Sequence, residues 1–147
     1  ERGNQEYIIY DDALLSKIDK KKLESSGSDE YLKNPNLKWG ITKPNTVITD
    51  LEHVLYRMPS YKSGKSNIFI TNSFNVKLKD SVDLPVLQSM AEQYHVEICK
   101  EGPLPLWYHL VCTLPSSSNA MDIANRFYES GKFEVSEPNF MGGIVLL

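Results

Sequence analysis

The second half of the sequence predicts an α+β fold of the ferredoxin-like, split βαβ type. Two amphipathic helical patterns and several β-prone runs follow one another in the order strand, helix, strand, strand, helix, strand. This order places two helices on one face of an antiparallel sheet. The predicted boundaries are 1–66 for a β-rich N-terminal segment, 67–141 for the α+β unit and 142–147 for a C-terminal tail.

The N-terminal segment carries weaker signals than the rest. Tyr7–Tyr10 is a β-prone run, and Val47–Tyr56 predicts a short amphipathic helix. A lysine run and the polar stretch Ser25–Glu30 interrupt the periodicity, so we expect loops between these elements. Ser60–Asn67 contains Gly64 and predicts a linker or a hairpin loop into the better-patterned region.

The first strand and helix of the α+β unit follow that loop. Apolar and polar residues alternate within Asn67–Lys79, which is the period of a half-buried strand. Asp83 precedes Pro85 by two positions and predicts an N-cap with proline in the first helical turn. The apolar face of the helix recurs at three- and four-residue steps, at Leu84, Leu87, Ala91 and Tyr94.

A hairpin comes next and contains both cysteines of the chain. Its predicted strands are Val96–Lys100 and Leu106–Leu114. Counting outward from the turn sets Cys99 opposite Trp107 or the residue after it, several positions from Cys112. That separation exceeds what a disulfide allows, so we expect two buried free thiols.

The second helix and a last strand complete the unit. Ser116–Ser118 supply capping hydroxyls, and Asp122 places a carboxylate in the first helical turn. Gly131 stands where a left-handed residue would end the helix, and Phe133–Phe140 predicts the final strand. The apolar face of the helix consists of Ala120, Ile123, Ala124, Phe127 and Tyr128.

Composition narrows the possible partners and compartments. The net charge is −3, and the residues after position 66 contain the excess of acidic over basic side chains. This charge disfavours a nucleic-acid partner. We interpret the aromatic residues of this region as mainly core for the same reason. No apolar run is long enough for a transmembrane helix. The chain starts at Glu1 without a leader pattern, which fits either a cytosolic protein or a mature exported product.

The sequence contains no recognisable catalytic or metal-ligating motif. His53, His95 and His109 share no ligand spacing with a carboxylate or a thiol. No serine lies in a G-x-S-x-G elbow, and Pro59 stands where a phosphate-binding loop ending at Gly64-Lys65-Ser66 would need glycine. We therefore expect a non-enzymatic protein without a metal or another cofactor.

Three phrases carry a family resemblance: PLWY at Pro105–Tyr108, ANRFYESG at Ala124–Gly131 and EPNF at Glu137–Phe140. With them, the chain from about Phe74 to Met141 resembles the N-terminal prodomain of subtilisin-like serine proteases, in the form found in secreted Bacteroides-type subtilases. The resemblance implies an exported intramolecular chaperone or inhibitor. Its partner would be a subtilisin-like serine protease, in cis or in trans, and the chain would be either free-standing or a fragment of a larger protease.

The resemblance also implies which residues would bind the protease. The open sheet face would dock on the enzyme, and Glu134 and Glu137 would approach helix N-termini of the protease. The C-terminal tail would enter the active-site cleft like a product, through Phe140, Met141, Gly142, Gly143, Ile144, Val145, Leu146 and Leu147.

Simpler interpretations of the same residues stay open. The end of the tail could form another buried strand or a frayed end. Charged residues on a strand usually belong to its solvated face. A non-catalytic structural or adhesion module of the cell envelope is the alternative function.

Overall fold

A computed structural model describes residues 2–11, 22–28, 35–48, 51–64, 66–101, 104–112 and 119–141. These residues form eight strands and two α-helices. The strands are β1 (Arg2–Asp11), β2 (Leu23–Ser28), β3 (Leu37–Thr42), β4 (Val54–Ser63), β5 (Ser66–Leu78), β6 (Val96–Glu101), β7 (Trp107–Cys112) and β8 (Phe133–Met141). The helices are α1 (Leu84–Gln93) and α2 (Ala120–Glu129).

The predicted fold class, a ferredoxin-like split βαβ α+β fold, is wrong for this chain. Strands hold 58% of the described residues, and they form an open, mostly antiparallel sheet of eight strands. We expected the first 66 residues to form a β-rich segment interrupted by loops. The described part of that segment instead contributes β1 to β4 and the start of β5. The protein is therefore β-rich.

Strand β1 is buried on both of its sides. Tyr7, Ile8, Ile9 and Tyr10 are all at most 3% exposed, although successive residues of a strand point to opposite faces. A strand buried on both faces shows no alternation of polar and apolar residues. The helix predicted at Val47–Tyr56 is wrong, because the described residues there form a single 3₁₀ turn followed by β4.

The chain divides into two compact units, and β5 contributes to both. Unit 1 comprises Glu1–Ile70 and Phe140–Leu147. Its strands follow the order β2-β3-β1-β4, and β4 pairs with the start of β5. Gly64 turns this hairpin with a φ of +63°. One face of β1 packs with Leu23 and Ile48, and on the other face the ring of Tyr7 stacks on Trp39.

Unit 2 comprises Thr71–Asn139. Its strands are the rest of β5 together with β6, β7 and β8, and β5 pairs with both β7 and β8. Both helices contribute to one apolar core against this sheet. The fully buried side chains of that core are Phe74, Val76, Leu78, Leu87, Leu110, Ala120, Ala124 and Phe127.

The structure confirms some of the predicted helix-end signals and contradicts others. Asp83 precedes α1 but makes no capping hydrogen bond with its side chain, and Asp80 instead caps the preceding 3₁₀ turn. Asn119 caps α2 by accepting a 2.9 Å hydrogen bond from the backbone N–H of Asp122. The predicted caps Ser116–Ser118 lie outside the described residues. The left-handed glycine is confirmed, because Gly131 has a φ of +74°.

The prediction of free thiols is confirmed, although only one of the two is fully buried. Cys112 lies opposite Val96 in the β6–β7 ladder, whereas Cys99 lies at an irregularity between Ile98 and Lys100. Cys112 is buried and Cys99 half-buried.

Candidate protein-binding surface

The sheet of unit 2 has a polar side opposite its two helices. Along β5 and β7, the core pair Phe74 and Leu110 alternates with the polar pair Asn75 and His109. Side chains of successive pairs point to opposite sides, because the side-chain period of a strand is two. We call this side the polar face; it consists of Thr71, Ser73, Asn75, Lys77, Trp107, His109, Val111, Glu134 and Asn139.

A hydrogen-bonded network joins three strands across the polar face. Asn75 Nδ2 donates to Asn139 Oδ1 over 2.6 Å, and Asn139 Nδ2 donates to Ser73 Oγ over 2.9 Å. Ser73 Oγ lies 3.1 Å from Thr71 Oγ1, and that hydroxyl also donates to the backbone carbonyl of Asn139 over 3.3 Å. On the β7 side, His109 Nδ1 lies 3.0 Å from Asn75 Oδ1. The network thereby ties β8 and β7 to β5.

The same contacts define the tautomer of His109. The Asn75 side chain turns its NH₂ group toward Asn139 and therefore presents its oxygen to the imidazole ring. An amide oxygen only accepts, so Nδ1 of His109 carries the proton and donates. The contact from Asn139 Nδ2 to the same ring nitrogen is longer, at 3.5 Å. The His109 ring is in this way held against the side chain of Asn75.

Charged and aromatic side chains occupy the more exposed end of the polar face. Lys77 lies opposite Trp107 in the ladder, and its ammonium group is 3.4 Å from a carboxylate oxygen of Glu134. The side chains of Lys77 and Glu134 are 31% and 52% exposed. A solvent-exposed pair of this kind contributes about 0–1 kcal/mol to stability. These side chains therefore remain available to a partner.

Burial changes along the polar face. Val111 is fully buried, and Thr71 and Ser73 are each 7% exposed. Trp107 and Lys77 are half-buried, and Glu134 is exposed. The part of the face that a partner could contact therefore lies around Trp107, Lys77 and Glu134.

The structure spreads the predicted binding residues along β8. Glu134 contributes to the polar face, and Glu137 is exposed on the same strand. Phe140 is 59% exposed and Met141 half-buried at the end of β8. The other predicted residues, Gly142, Gly143, Ile144, Val145, Leu146 and Leu147, lie outside the described residues. Glu134 therefore comes together with Lys77 and Trp107, and the end of the strand adds one exposed aromatic ring.

Sequence reasoning missed the hydrogen-bonded network. Asn75 and His109 lie on adjacent strands, and Asn139 lies far away in sequence, so only the strand pairing brings them together. One signal was present, since Thr71, Ser73, Asn75 and Lys77 occupy every second position of β5. That alternation marks a polar side but does not identify the partners.

Two further findings concern metals and membranes. Within the described residues, no group of three or more His, Cys, Asp or Glu side chains is arranged to hold a metal ion. Neither α1 nor α2, with ten residues each, is long enough to cross a membrane, and no other helix in the described ranges qualifies.

The polar face combines an aromatic ring, a cation and a carboxylate with an amide network. Comparisons with protein-family models, with curated proteins and with solved structures found no match to this chain.

Proposed function

We propose that the chain is a prodomain-like chaperone or inhibitor of a subtilisin-like serine protease, and that it acts outside the cytoplasm. In this proposal the polar face of unit 2 docks on the protease, and the C-terminal tail enters the active-site cleft. The observation that carries the proposal is the exposed end of the polar face, where Trp107 lies beside Lys77 and Glu134. Aromatic side chains such as Trp are enriched at protein interfaces, and the rim of an interface is polar.

The carboxylates of β8 support the docking mode. Glu134 and Glu137 are both exposed, and they are three residues apart on one strand. Carboxylates interact favourably with helix N-termini, where unpaired N–H groups and the helix dipole create a positive potential. A protease that presents helix N-termini to β8 would therefore complement this strand.

The resemblance phrases also occupy informative places in the structure. PLWY leads into β7, ANRFYESG covers most of α2 and its terminal glycine, and EPNF lies in β8. They thus contribute to the helix side, the polar face and the final strand of unit 2. This distribution supports a prodomain-like unit whose sheet and final strand both take part in binding.

The end of β8 supports the role of the tail. The strand continues to Met141, and the ring of Phe140 is mostly exposed just before the tail begins. An extended segment can add to a substrate cleft as a strand, with backbone hydrogen bonds for affinity and alternate side chains in pockets. The aliphatic residues Ile144–Leu147 would occupy apolar subsites.

A charge reversal on β8 tests the docking mode. We expect Glu137→Lys to weaken binding to a responsive subtilisin-like protease about tenfold, because an attractive charge at a helix N-terminus becomes repulsive. The matched control is Glu129→Lys, which reverses an exposed charge at the end of α2. Titration calorimetry with both variants measures the effect. Equal affinities for the two variants would contradict docking through β8.

A refolding assay tests the chaperone role separately. A denatured subtilisin-like protease domain should regain activity faster when the chain is present during refolding and is then digested. If the chain inhibits a protease but changes neither the yield nor the rate of its refolding, the chaperone role is refuted and only the inhibitor role remains.

A further inference from the structure

We infer that the outer edge of β2 binds an acidic peptide in an extended conformation, which adds to the sheet as a further strand. In strand addition, backbone hydrogen bonds supply affinity and the surroundings of the edge supply specificity. The edge belongs to unit 1, so its binding role is independent of the protease-binding role proposed for unit 2. Three observations support it: the position of β2, a cleft beside the strand and the charges at its ends.

Strand β2 lies at the edge of unit 1. In the strand order β2-β3-β1-β4, β3 lies on one side of β2, and none of the described strands lies on the other. The run Ser25–Ser28 pairs with β3 in regular register, from Ser25 opposite Ile41 to Ser28 opposite Lys38. The N–H and C=O groups of β2 that do not face β3 therefore point outward, at the spacing that another extended backbone matches.

Two other strand edges carry features that discourage strand addition. Strand β8, which pairs only with β5 in the part of the chain that the structure describes, contains Pro138 and so lacks one backbone N–H. Strand β6 has an irregularity between Ile98 and Lys100. Strand β2 has a register shift as well, but it falls before Ser25–Ser28. That run has no proline, no charged side chain and no break in register, so it is suited to accept a strand.

A cleft follows β2 along this edge. It has a volume of about 320 Å³ and touches all six residues of Leu23–Ser28, together with Tyr10 and Lys38. Successive side chains of a strand point to opposite faces, so a cleft that meets six consecutive residues follows the backbone edge rather than one face alone. The three serines of β2 are all exposed and have short side chains. A peptide backbone can therefore approach β2 closely, and one of its side chains would enter the cleft toward Tyr10 and Lys38.

Lysines lie at both ends of β2. Lys22 directly precedes the strand and is exposed, and its backbone carbonyl accepts a 2.9 Å hydrogen bond from the N–H of Lys43, which is also exposed. Lys38 lines the cleft beside the last residue of the strand. The carboxylate of Glu24 already accepts a hydrogen bond from the side-chain amide of Gln5. A peptide with a carboxylate near each end, about 20 Å apart across six extended residues, would complement these charges.

A labelled heptapeptide tests the inference on the full chain. Its sequence is acidic at both ends and alternates valine with threonine between them, and a matched peptide has lysine at both ends. Fluorescence polarisation should give a dissociation constant about tenfold lower for the acidic peptide than for the basic one. Added salt should reduce this difference. Equal affinities, or no binding of either peptide at millimolar concentration, would overturn the inference.

Backbone methylation of the acidic peptide tests strand addition itself. One form carries N-methyl groups on alternate amides, and a second form carries them on the remaining amides. Each form therefore blocks the N–H groups on one edge of the extended peptide. If one peptide edge pairs with β2, one form should lose about tenfold in affinity and the other should retain it. An equal loss or an equal retention would exclude pairing between strands.

Charge variants locate the peptide on β2. Lys22→Glu should weaken binding of the acidic peptide about threefold and strengthen binding of the basic one, because the variant reverses a surface charge. Lys38→Gln should also weaken binding of the acidic peptide about threefold. Lys62→Glu on β4 is the matched control, since it reverses an exposed charge of unit 1 away from β2. Equal effects of Lys22→Glu and Lys62→Glu would place the peptide elsewhere.

Hydrogen exchange gives a direct backbone measurement. With the acidic peptide bound, the outward amides within Ser25–Ser28 should exchange about tenfold more slowly than in the free chain, because they gain hydrogen-bond partners. The amides of β6 and β8 should exchange at unchanged rates. Slower exchange in β6 or β8 without any change in β2 would overturn the inference. Neither result depends on whether the chain inhibits a protease.

Discussion

The ring of Phe127 in α2 lies edge-on against Phe74 in β5, with their centroids 5.2 Å apart and their planes at 82°. Both side chains are fully buried. Phe127 also lies 5.6 Å from the ring of Tyr94 and stacks on Phe133 at 5.7 Å. One helical side chain thus joins the strands β5 and β8 with the end of α1.

Replacing Phe127 should therefore cost more stability than any change on the exposed side of α2. We expect Phe127→Ala to lower the free energy of unfolding by about 3–5 kcal/mol, because it leaves a cavity and removes three ring contacts. Urea unfolding measures the change. The control is Tyr128→Ala, because Tyr128, which we expected on the apolar face of α2, is instead 59% exposed. Its replacement should cost less than about 1 kcal/mol. Similar losses for both variants would contradict the assigned face of α2.

The turn after α2 depends on glycine. Gly131 has a φ of +74°, a conformation that costs a residue with a Cβ atom about 1–2 kcal/mol. We expect Gly131→Ala to lower the free energy of unfolding by about that amount. A steric clash would not contribute to this loss of stability, since a Cβ atom added at Gly131 would meet no atom within 4 Å. Gly131→Asn should retain more stability than Gly131→Ala because asparagine tolerates this region, and the reverse order would refute the explanation.

The two thiols should differ in reactivity in the folded chain. Cys112 is buried in the core of unit 2, whereas Cys99 is half-buried beside the irregularity in β6. Alkylation by iodoacetamide followed by peptide mass spectrometry should therefore modify Cys99 first. In urea both cysteines should react at comparable rates. Faster labelling of Cys112 in the folded chain would show that the core of unit 2 is open to solvent.

Alkaline pH should weaken the fold through Cys112. Burial raises the pKa of this thiol from 9.0 to about 12. As pH rises, the Cys112 thiol therefore loses its proton in the unfolded state before it does so in the folded state. The contribution of the neutral thiol to folding stability is fully present below about pH 9 and is lost as pH rises toward 12. Ionisation of this thiol lowers the free energy of unfolding by at most about 1.4 kcal/mol per pH unit.

A cysteine variant isolates that contribution. Cys112→Ala should lower the free energy of unfolding at every pH, but this free energy should then decrease less steeply between neutral and alkaline pH. Cys99→Ala serves as the matched control. Urea unfolding at several pH values between 8 and 10.5 compares the two. Parallel curves for Cys112→Ala and the wild type would show that the thiol ionises equally in both states.

The elements from Ser66 onward could be predicted from local signals. The alternation in Asn67–Lys79 predicted the strand that the structure has as β5, and the spacing of apolar residues predicted both α1 and α2. The helical signals are reliable because each helix buries one side and exposes the other. The β-prone run Tyr7–Tyr10 is confirmed as part of β1, but β2, β3 and β4 were not predicted, and the fold class was therefore wrong.

The candidate site was predictable only in part. Glu134 and Phe140 follow from the last strand and from the family resemblance, and they lie on β8 as expected. The amide network could not be foreseen, because Asn75 and Asn139 are 64 residues apart and meet only through strand pairing. Long-range contacts of this kind depend on sheet register, which the sequence alone does not specify.

Inhibition by the full chain and by a chain lacking Gly142–Leu147 tests the central claim most directly. Residual activity of several subtilisin-like proteases is titrated with both forms, and circular dichroism checks that they fold alike. The proposed function predicts that the full chain inhibits at least one protease tightly and that the shortened chain loses most of this inhibition. If neither form inhibits or binds any of the proteases, the claim is contradicted and the envelope-module alternative is favoured.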